Sequence, residues 1–417
     1  MQETNISAKN FEQCQKCSLC ETVCPVMANN PKYGGPKRSG PDGERYRLKN
    51  GIFFDDSLKY CLNCKRCEVA CPSGVKIADL IQQARIDYGR QAPKLRDVML
   101  ASTDQMGPLA SSFAPLVNFS LGLGAVKGVM DFALGVDRHR TLPKYASETF
   151  VRWFKKNAAA KQEAYKKRIS YFHGCYANYN YPQLGKDFVA VMNAFGIGVQ
   201  LIENERCCGV AKIANGMIPA ATRDARINVD AFVKEVKEGR EIVTVSTTCT
   251  MTLLEEYPEL LKVDNSVVRE HIHLVERFLY KGIVSGELKP VWKDGWKARA
   301  AYHCPCHQER LGWGIFTTEL LKMIPGLELV ELESNCCGIA GTYGFKKENY
   351  KVSQAIGKPL FDNIQAVAPD FVACECETCK WQIEMSTGVA VKNPVSILAE
   401  ALDLEKTAAA NLRADRL

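Results

Sequence analysis

The chain has 417 residues, 46% hydrophobic and 24% charged, with a net charge of +7 and 19 cysteines. This is an ordinary globular profile, long enough for two or three full-sized cores. The polar start, with Glu3 and Glu12, is expected to be neither a secretory signal nor a transit peptide, and the odd cysteine count with C-x2-C spacing argues for metal ligation over disulfides.

The first element in chain order is CQKCSLCETVCP, Cys14 to Pro25, and CLNCKRCEVACP, Cys61 to Pro72, repeats its spacing. Each reads C-x2-C-x2-C-x3-C-P. Three thiolates spaced by two residues wrap one iron–sulfur cluster, and the fourth serves the other cluster of a two-cluster ferredoxin. The spacing therefore predicts two [4Fe–4S] clusters. One takes Cys14, Cys17, Cys20 and Cys71; the other takes Cys61, Cys64, Cys67 and Cys24. Zinc, with four ligands and no use for the interleaved third cysteine, is set aside. Pro25 and Pro72 are expected to end the short helix and turn the chain. Between the motifs, residues 33–51 read as an inserted loop with a turn at Pro41-Asp42-Gly43. Its basic residues Lys37, Arg38, Arg45, Arg47 and Lys49 either stabilise anionic clusters, dock a partner, or are simply solvated.

An amphipathic helix is expected from about Val75 to Gly89. The uncharged run 105–126 follows, in which two prolines and four glycines make a poor membrane span. GLGAVKG, Gly122 to Gly128, lacks the βαβ setting of a dinucleotide loop. Residues 138–168 hold ten Lys/Arg against Glu148 and Glu163, a local +8, with Trp153 and Phe154 beside Lys155 and Lys156. This connector reads first as a helical linker packed across the domains with its charges in water. The second reading is docking on an anionic membrane surface. No nucleic-acid-binding pattern accompanies the charge.

The remaining 11 cysteines follow residue 170 and repeat. Cys208 and Cys337 are 129 residues apart, Cys175 and Cys306 are 131, and Cys249 and Cys376 are 127. Each half predicts strand, helix, strand, Cys-Cys-Gly loop, helix, strand, cysteine, which implies parallel sheets with their cysteines gathered at the carboxyl edge. A cysteine at a helix start, as at Cys379, has its thiolate favoured by the helix dipole. His271 and His273 read as ordinary helix residues.

The patterns C-x31-CCG-x39-C and C-x29-CCG-x37-C-x2-C resemble the cysteine-rich CCG domain of heterodisulfide reductases and of glycolate oxidase and lactate-utilisation iron–sulfur subunits. With GPKRSGPDGERYRL, HGCYANYNYPQLGKD, CCGIAGTYGFKKENY and CETCKWQIEMST, nearly the whole chain resembles the family of C subunits of anaerobic glycerol-3-phosphate dehydrogenases. That resemblance implies a non-catalytic electron-transfer subunit. It would relay electrons from flavoprotein partner subunits, which oxidise glycerol 3-phosphate, to menaquinone at the cytoplasmic face of the inner membrane. A heterodisulfide-reductase-like enzyme and a glycolate or lactate oxidase iron–sulfur subunit are the alternatives. It also implies a further iron–sulfur cluster on Cys306, Cys336, Cys337, Cys376 and Cys379. The first half offers Cys175, Cys207, Cys208 and Cys249, with Thr252 where the family's last cysteine would stand; four thiolates fit a cluster or zinc. Spacing alone would choose Cys304 over Cys306, but the family's P-C-H pattern selects Cys306. Cys304 and Cys374 are left as small buried residues, while His303 and His307 flank the site as candidate tuning groups.

The expected fold class is α+β to α/β: a helical two-cluster ferredoxin-like domain over 1–90, a helical basic connector over 91–168, and a duplicated βαβαβ domain. Its first CCG repeat covers 169–290 and its second covers 291–417.

Overall fold

The computed structural model describes residues 10–50, 55–89 and 93–412. The polar start through residue 9, Gly51 and the junction expected at residues 90 and 91 lie outside the described residues. The architecture is the expected one: a helical N-terminal part followed by two parallel-sheet α/β units.

The first sheet comprises β1 (Lys167–Phe172), β2 (Ile197–Leu201), β3 (Ile242–Thr244) and β4 (Ile272–Leu274); the second comprises β5 (Ala298–Tyr302), β6 (Leu327–Glu331), β7 (Phe371–Ala373) and β8 (Val391–Lys392). Their orders are β2-β1-β3-β4 and β6-β5-β7-β8, parallel throughout. The connections leave β1 and β5 toward one side and then return to the other, so a topological switch point opens beside each central strand. Parallel strands covered on both faces need continuous apolar runs, and Ile169, Tyr171 and Phe172 are all buried. The helix Pro182–Ala194 covers one face, burying Leu184, Phe188, Val191 and Met192; Phe188 stacks on Tyr171 with ring centroids 4.0 Å apart. Each such side chain contributes roughly 1.5–3 kcal/mol by leaving water. The main core spans both sheets, joining Tyr171 and Val275 to Tyr302, Phe371 and Leu398.

The connector begins with four short helices: Leu95–Ala101, Thr103–Ser112, Ala114–Gly122 and Gly124–Val129. Among the described residues no single helix is long and apolar enough to cross a membrane; Ala114–Gly122 and Gly124–Leu134 together form a pair bent by 72°. Leu109, Phe113, Leu116, Phe119 and Phe132 are exposed on these helices. Farther on, the helix Phe150–Asn157 is capped by the Thr149 hydroxyl and buries Phe150 and Phe154 in the first sheet's core, leaving Lys155 and Lys156 exposed.

Three local expectations are corrected. Residues 38–50 are helical, with Pro41 inside a wide turn that runs into the helix Gly43–Asn50. Arg47 is buried there and bonds Glu44 at 2.7 Å, so short-range pairing overrides the turn signal. Pro25 opens the helix Pro25–Asn29 as its first residue, a position that needs no N–H donor. His273 lies on β4, not on a helix, with His271 just before it, and both rings bond Glu241.

Candidate metal centres

In both ferredoxin motifs the residues on either side of the second cysteine, Lys16 and Ser18 and then Asn63 and Lys65, have positive φ between 54° and 65°. This left-handed backbone is costly for residues with a Cβ and curls each loop into a concavity suited to anions. Burial raises Cys20 to about 12, with Glu21, Cys14 and Cys71 adding to it. Cys17 of the same motif is exposed. Burial likewise raises Cys24 to about 12, with Cys64 and Cys61 as charged neighbours, and raises Cys67, whose neighbours include Cys64, Cys61 and Cys24. The fourth cysteine of each motif thus stands among the thiols of the other motif. Lys65 is buried and paired with Asp79 and Glu68, which fixes the second loop on the helix Ile77–Tyr88.

In the first sheet unit the Cys175 and Cys207 sulfurs are 3.9 Å apart, and Cys208 and Cys249 line one cavity with them. In the second, Cys337 donates to Cys379 at 3.3 Å. Cys306, Cys336 and Cys376 line the same cavity. Cys374 and Cys379 lie with His303 in a group whose ligand atoms are within 4.8 Å of one another. His303 is buried, lowered to about 4 by desolvation, and neither ring nitrogen has a hydrogen-bond partner among the described residues. Cys304 instead turns to the Pro305 carbonyl. Soft, mutually bonded thiols beside an orphaned imidazole fit a thiophilic metal or an iron–sulfur core.

The helix starts reveal a register that spacing misses. Cys376 caps the helix Glu377–Thr387, its sulfur accepting from the Cys379 N–H at 3.5 Å. Ser246 caps the helix Thr247–Met251 in the same way, its hydroxyl accepting from the Cys249 N–H at 3.3 Å. Cys249 is therefore the counterpart of Cys379, not of Cys376, and Ser246 occupies the position of the absent cysteine. Thr252, expected there, is buried one turn farther on and donates to the Thr248 carbonyl. Aligning STTC with CETC would have found this, since both tetrapeptides share Thr-Cys.

The ferredoxin motifs reach the second unit directly. Cys64 and Cys306 line the same cavity, and each thiol acts on the titration of the other. Arg66 holds Glu309 through two bonds of 3.1 and 3.2 Å. Burial works against the Arg66 cation, but Cys306, Glu309, Cys336 and Cys64 outweigh it and raise its pKa. His307 is lowered to about 4, chiefly by burial and also by the Lys65 charge. Both sheet units then face one cavity of about 740 Å³, with Cys175, Cys208 and Cys249 on one wall and Cys306, Cys337 and Cys379 on another.

Paired ferredoxin loops joined to duplicated thiol-bearing α/β units define an iron–sulfur protein of the dicluster and cysteine-rich class. Residues 10–75 match the 4Fe-4S dicluster domain, and residues 169–254 and 300–384 match the cysteine-rich domain CCG. The chain is 52% identical over 397 residues to the C subunit of the anaerobic glycerol-3-phosphate dehydrogenase of Escherichia coli (strain K12), covering 94% of this chain and 99% of that one. The chain belongs to the family of anaerobic glycerol-3-phosphate dehydrogenase C subunits. It is also 26% identical to the B subunit of the fumarate reductase (CoM/CoB) of Methanothermobacter marburgensis, over 91% of this chain and 68% of that one. Identity to the glycolate oxidase iron-sulfur subunit of Escherichia coli (strain K12) is 23%, over 94% of each chain.

Proposed function

We propose that this chain relays electrons from flavoprotein partner subunits, which oxidise glycerol 3-phosphate, to menaquinone at the cytoplasmic face of the inner membrane. Bound iron–sulfur clusters would supply the one-electron chemistry. Cys14, Cys17, Cys20 and Cys71 would hold one, and Cys24, Cys61, Cys64 and Cys67 a second. Cys306, Cys336, Cys337, Cys376 and Cys379 would hold a further one, and Cys175, Cys207, Cys208 and Cys249 either a cluster or zinc. The observation that carries the reading is the Arg66–Glu309 pair, bonded at 3.1 and 3.2 Å, which with Cys64 and Cys306 lining one cavity brings the ferredoxin ligand set against the second cysteine-rich unit. Arg66 between them supports it as a fixed positive charge beside a thiolate-rich path.

In the complex with its flavoprotein partners, Cys17→Ser or Cys64→Ser is expected to remove one ferredoxin-type EPR signal and to uncouple substrate oxidation from quinone reduction. Unchanged spectra and unchanged quinone reduction would sink the relay. Membrane attachment through the basic connector is tested by charge reversal at Lys155, Lys156 and Lys166. Each basic residue is worth about 1 kcal/mol near an anionic surface, so binding to anionic vesicles should fall and should already weaken with salt. Salt-insensitive binding would reject this mode of attachment.

A further inference from the structure

The cavity between the cysteine-rich units has a second character that the thiols do not explain. A space that served only to house metal would be closed by cysteines and backbone. Here one whole wall is built by the connector, through Met106, Leu109, Phe113, Val117, Leu121 and Leu134. Leu109 and Phe113 line the cavity and are also 68% and 58% exposed, so the cavity opens to the outside at these two residues. The helices that form this wall also expose Leu116, Phe119 and Phe132, at 65%, 66% and 92%. Several exposed large apolar side chains near a cavity mouth suit an interaction or ligand-entry site.

Charge narrows the occupant. Among the described residues the charged side chains on the walls are Arg96 and Glu377. Arg96 is held by Glu348 through bonds of 2.9 and 2.8 Å, and Glu377 accepts from Ser246 at 2.9 and 3.0 Å. Neither is free to receive a carboxylate, phosphate or sulfonate, so a charged, water-soluble acceptor has nothing to bind it. Neutral hydrogen-bonding groups do stand at the thiol end: Thr248, beside Cys376 at 3.5 Å, together with His307 and Tyr145. Polar groups at one end and an apolar channel at the other, leading to an apolar surface, match a carbonyl-bearing ring on a long hydrocarbon tail.

We infer that this cavity is the quinone-binding site, with the ring beside the two thiol sets and the isoprenoid tail running out along the connector helices. The inference rests on the relay reading above and adds where, and on which subunit, the acceptor binds.

The test uses the purified complex in detergent and a photoactivatable naphthoquinone with an isoprenoid tail, its azido group on the ring. After illumination, peptide mapping is expected to find label on the segments carrying Thr248 and on those carrying Thr378 and Trp381. Excess menaquinone should compete it away. Val117→Trp and Leu121→Trp, which fill the channel, should lower that labelling at least about ten-fold, a difference of about 1.4 kcal/mol. Should the filled variants not fold, Phe113→Asp at the exposed mouth is expected to have the same effect. Label confined to Leu116, Phe119 and Phe132, or label that excess phospholipid removes as well as menaquinone does, overturns the site. Quinone reduction by the unmodified complex is measured in parallel. Reduction without cavity labelling sinks the site and leaves the relay standing, whereas cavity labelling without reduction sinks the relay and leaves the site.

Discussion

The two cysteine-rich units share strand order, parallel register and the positions of their paired cysteines, yet differ at one helix cap. In the second unit the cap is Cys376; in the first it is Ser246. Both side chains accept the N–H of the residue three positions on, so the helix start is equally satisfied in each. What changes is the chemistry left over. A cysteine cap is a soft thiolate donor as well, while a serine hydroxyl is a poor ligand for iron or zinc. The comparison teaches that the fold fixes where the ligands converge, and that a single cap residue sets how many there are.

The largest expected effect breaks the symmetry outright. Cys337→Ser should take quinone reduction to background while both ferredoxin clusters remain reducible by the flavoprotein. Cys208→Ser, at the matching position, is expected mainly to lower metal content and melting temperature, since metal binding supports the surrounding fold. Equal loss of electron transfer in both variants, with stability intact, would make both units redox sites. Loss in neither would mean that electrons leave from the ferredoxin domain.

A smaller effect sharpens the comparison at the domain junctions. The ferredoxin part meets the second unit through Arg66 and Glu309, largely buried at 15% and 18% side-chain exposure, beside the cavity that Cys64 and Cys306 both line. It meets the first unit through the more exposed ion pair Lys76–Glu259, at 29% and 23%, together with bonds from Asn63 to buried Glu256 and from Arg85 to the Ala214 carbonyl. Removing one partner of a buried pair costs about 3 kcal/mol, whereas a more exposed pair is worth less than about 1 kcal/mol. Arg66→Ala should therefore destabilise clearly in chemical denaturation and slow electron passage, and Lys76→Ala should do neither appreciably. The reverse order would place the functional junction at the first unit.

How far the sequence reveals this site depends on how local each determinant is. The pairing of the two ferredoxin motifs follows from spacing because short loops control where their thiols lie, and the duplicated strands follow from repeated apolar runs around Cys-Cys-Gly. The register at Cys249 is misread from spacing because of one extra residue. β3 ends at Thr244 with Ser246 as cap, while β7 ends at Ala373 with Cys376 as cap. Counting between cysteines absorbs that difference and shifts the match. Burial of Arg47 and the role of Pro41 depend on side-chain pairing within a few residues, which turn signals ignore. The cavity is not legible in the sequence at all. Its wall comes from residues 99–145, distant in sequence from the cysteines they face, and the apolar run by itself shows only that it is a poor membrane span.

The smallest expected effect is a paired one and tests the register itself. Ser246→Cys should preserve the helix cap, because sulfur takes the same role at Cys376. It adds a thiol where the second unit has one, near Glu377, whose carboxylate Ser246 now bonds. The reconstituted variant is expected to show a changed first-unit metal signature, in EPR if a cluster is held there or in cobalt-substituted absorption if zinc is, with little change in stability. Thr252→Cys should change neither spectrum, because that side chain sits one turn beyond Cys249 and is turned back to the Thr248 carbonyl at 2.9 Å. It would lose that bond and at most about 1 kcal/mol of stability. A new signature from Thr252→Cys and none from Ser246→Cys would restore the count made from spacing and reject the cap equivalence. Response at Ser246 alone would make the two units variations on one site, separated by an oxygen in place of a sulfur.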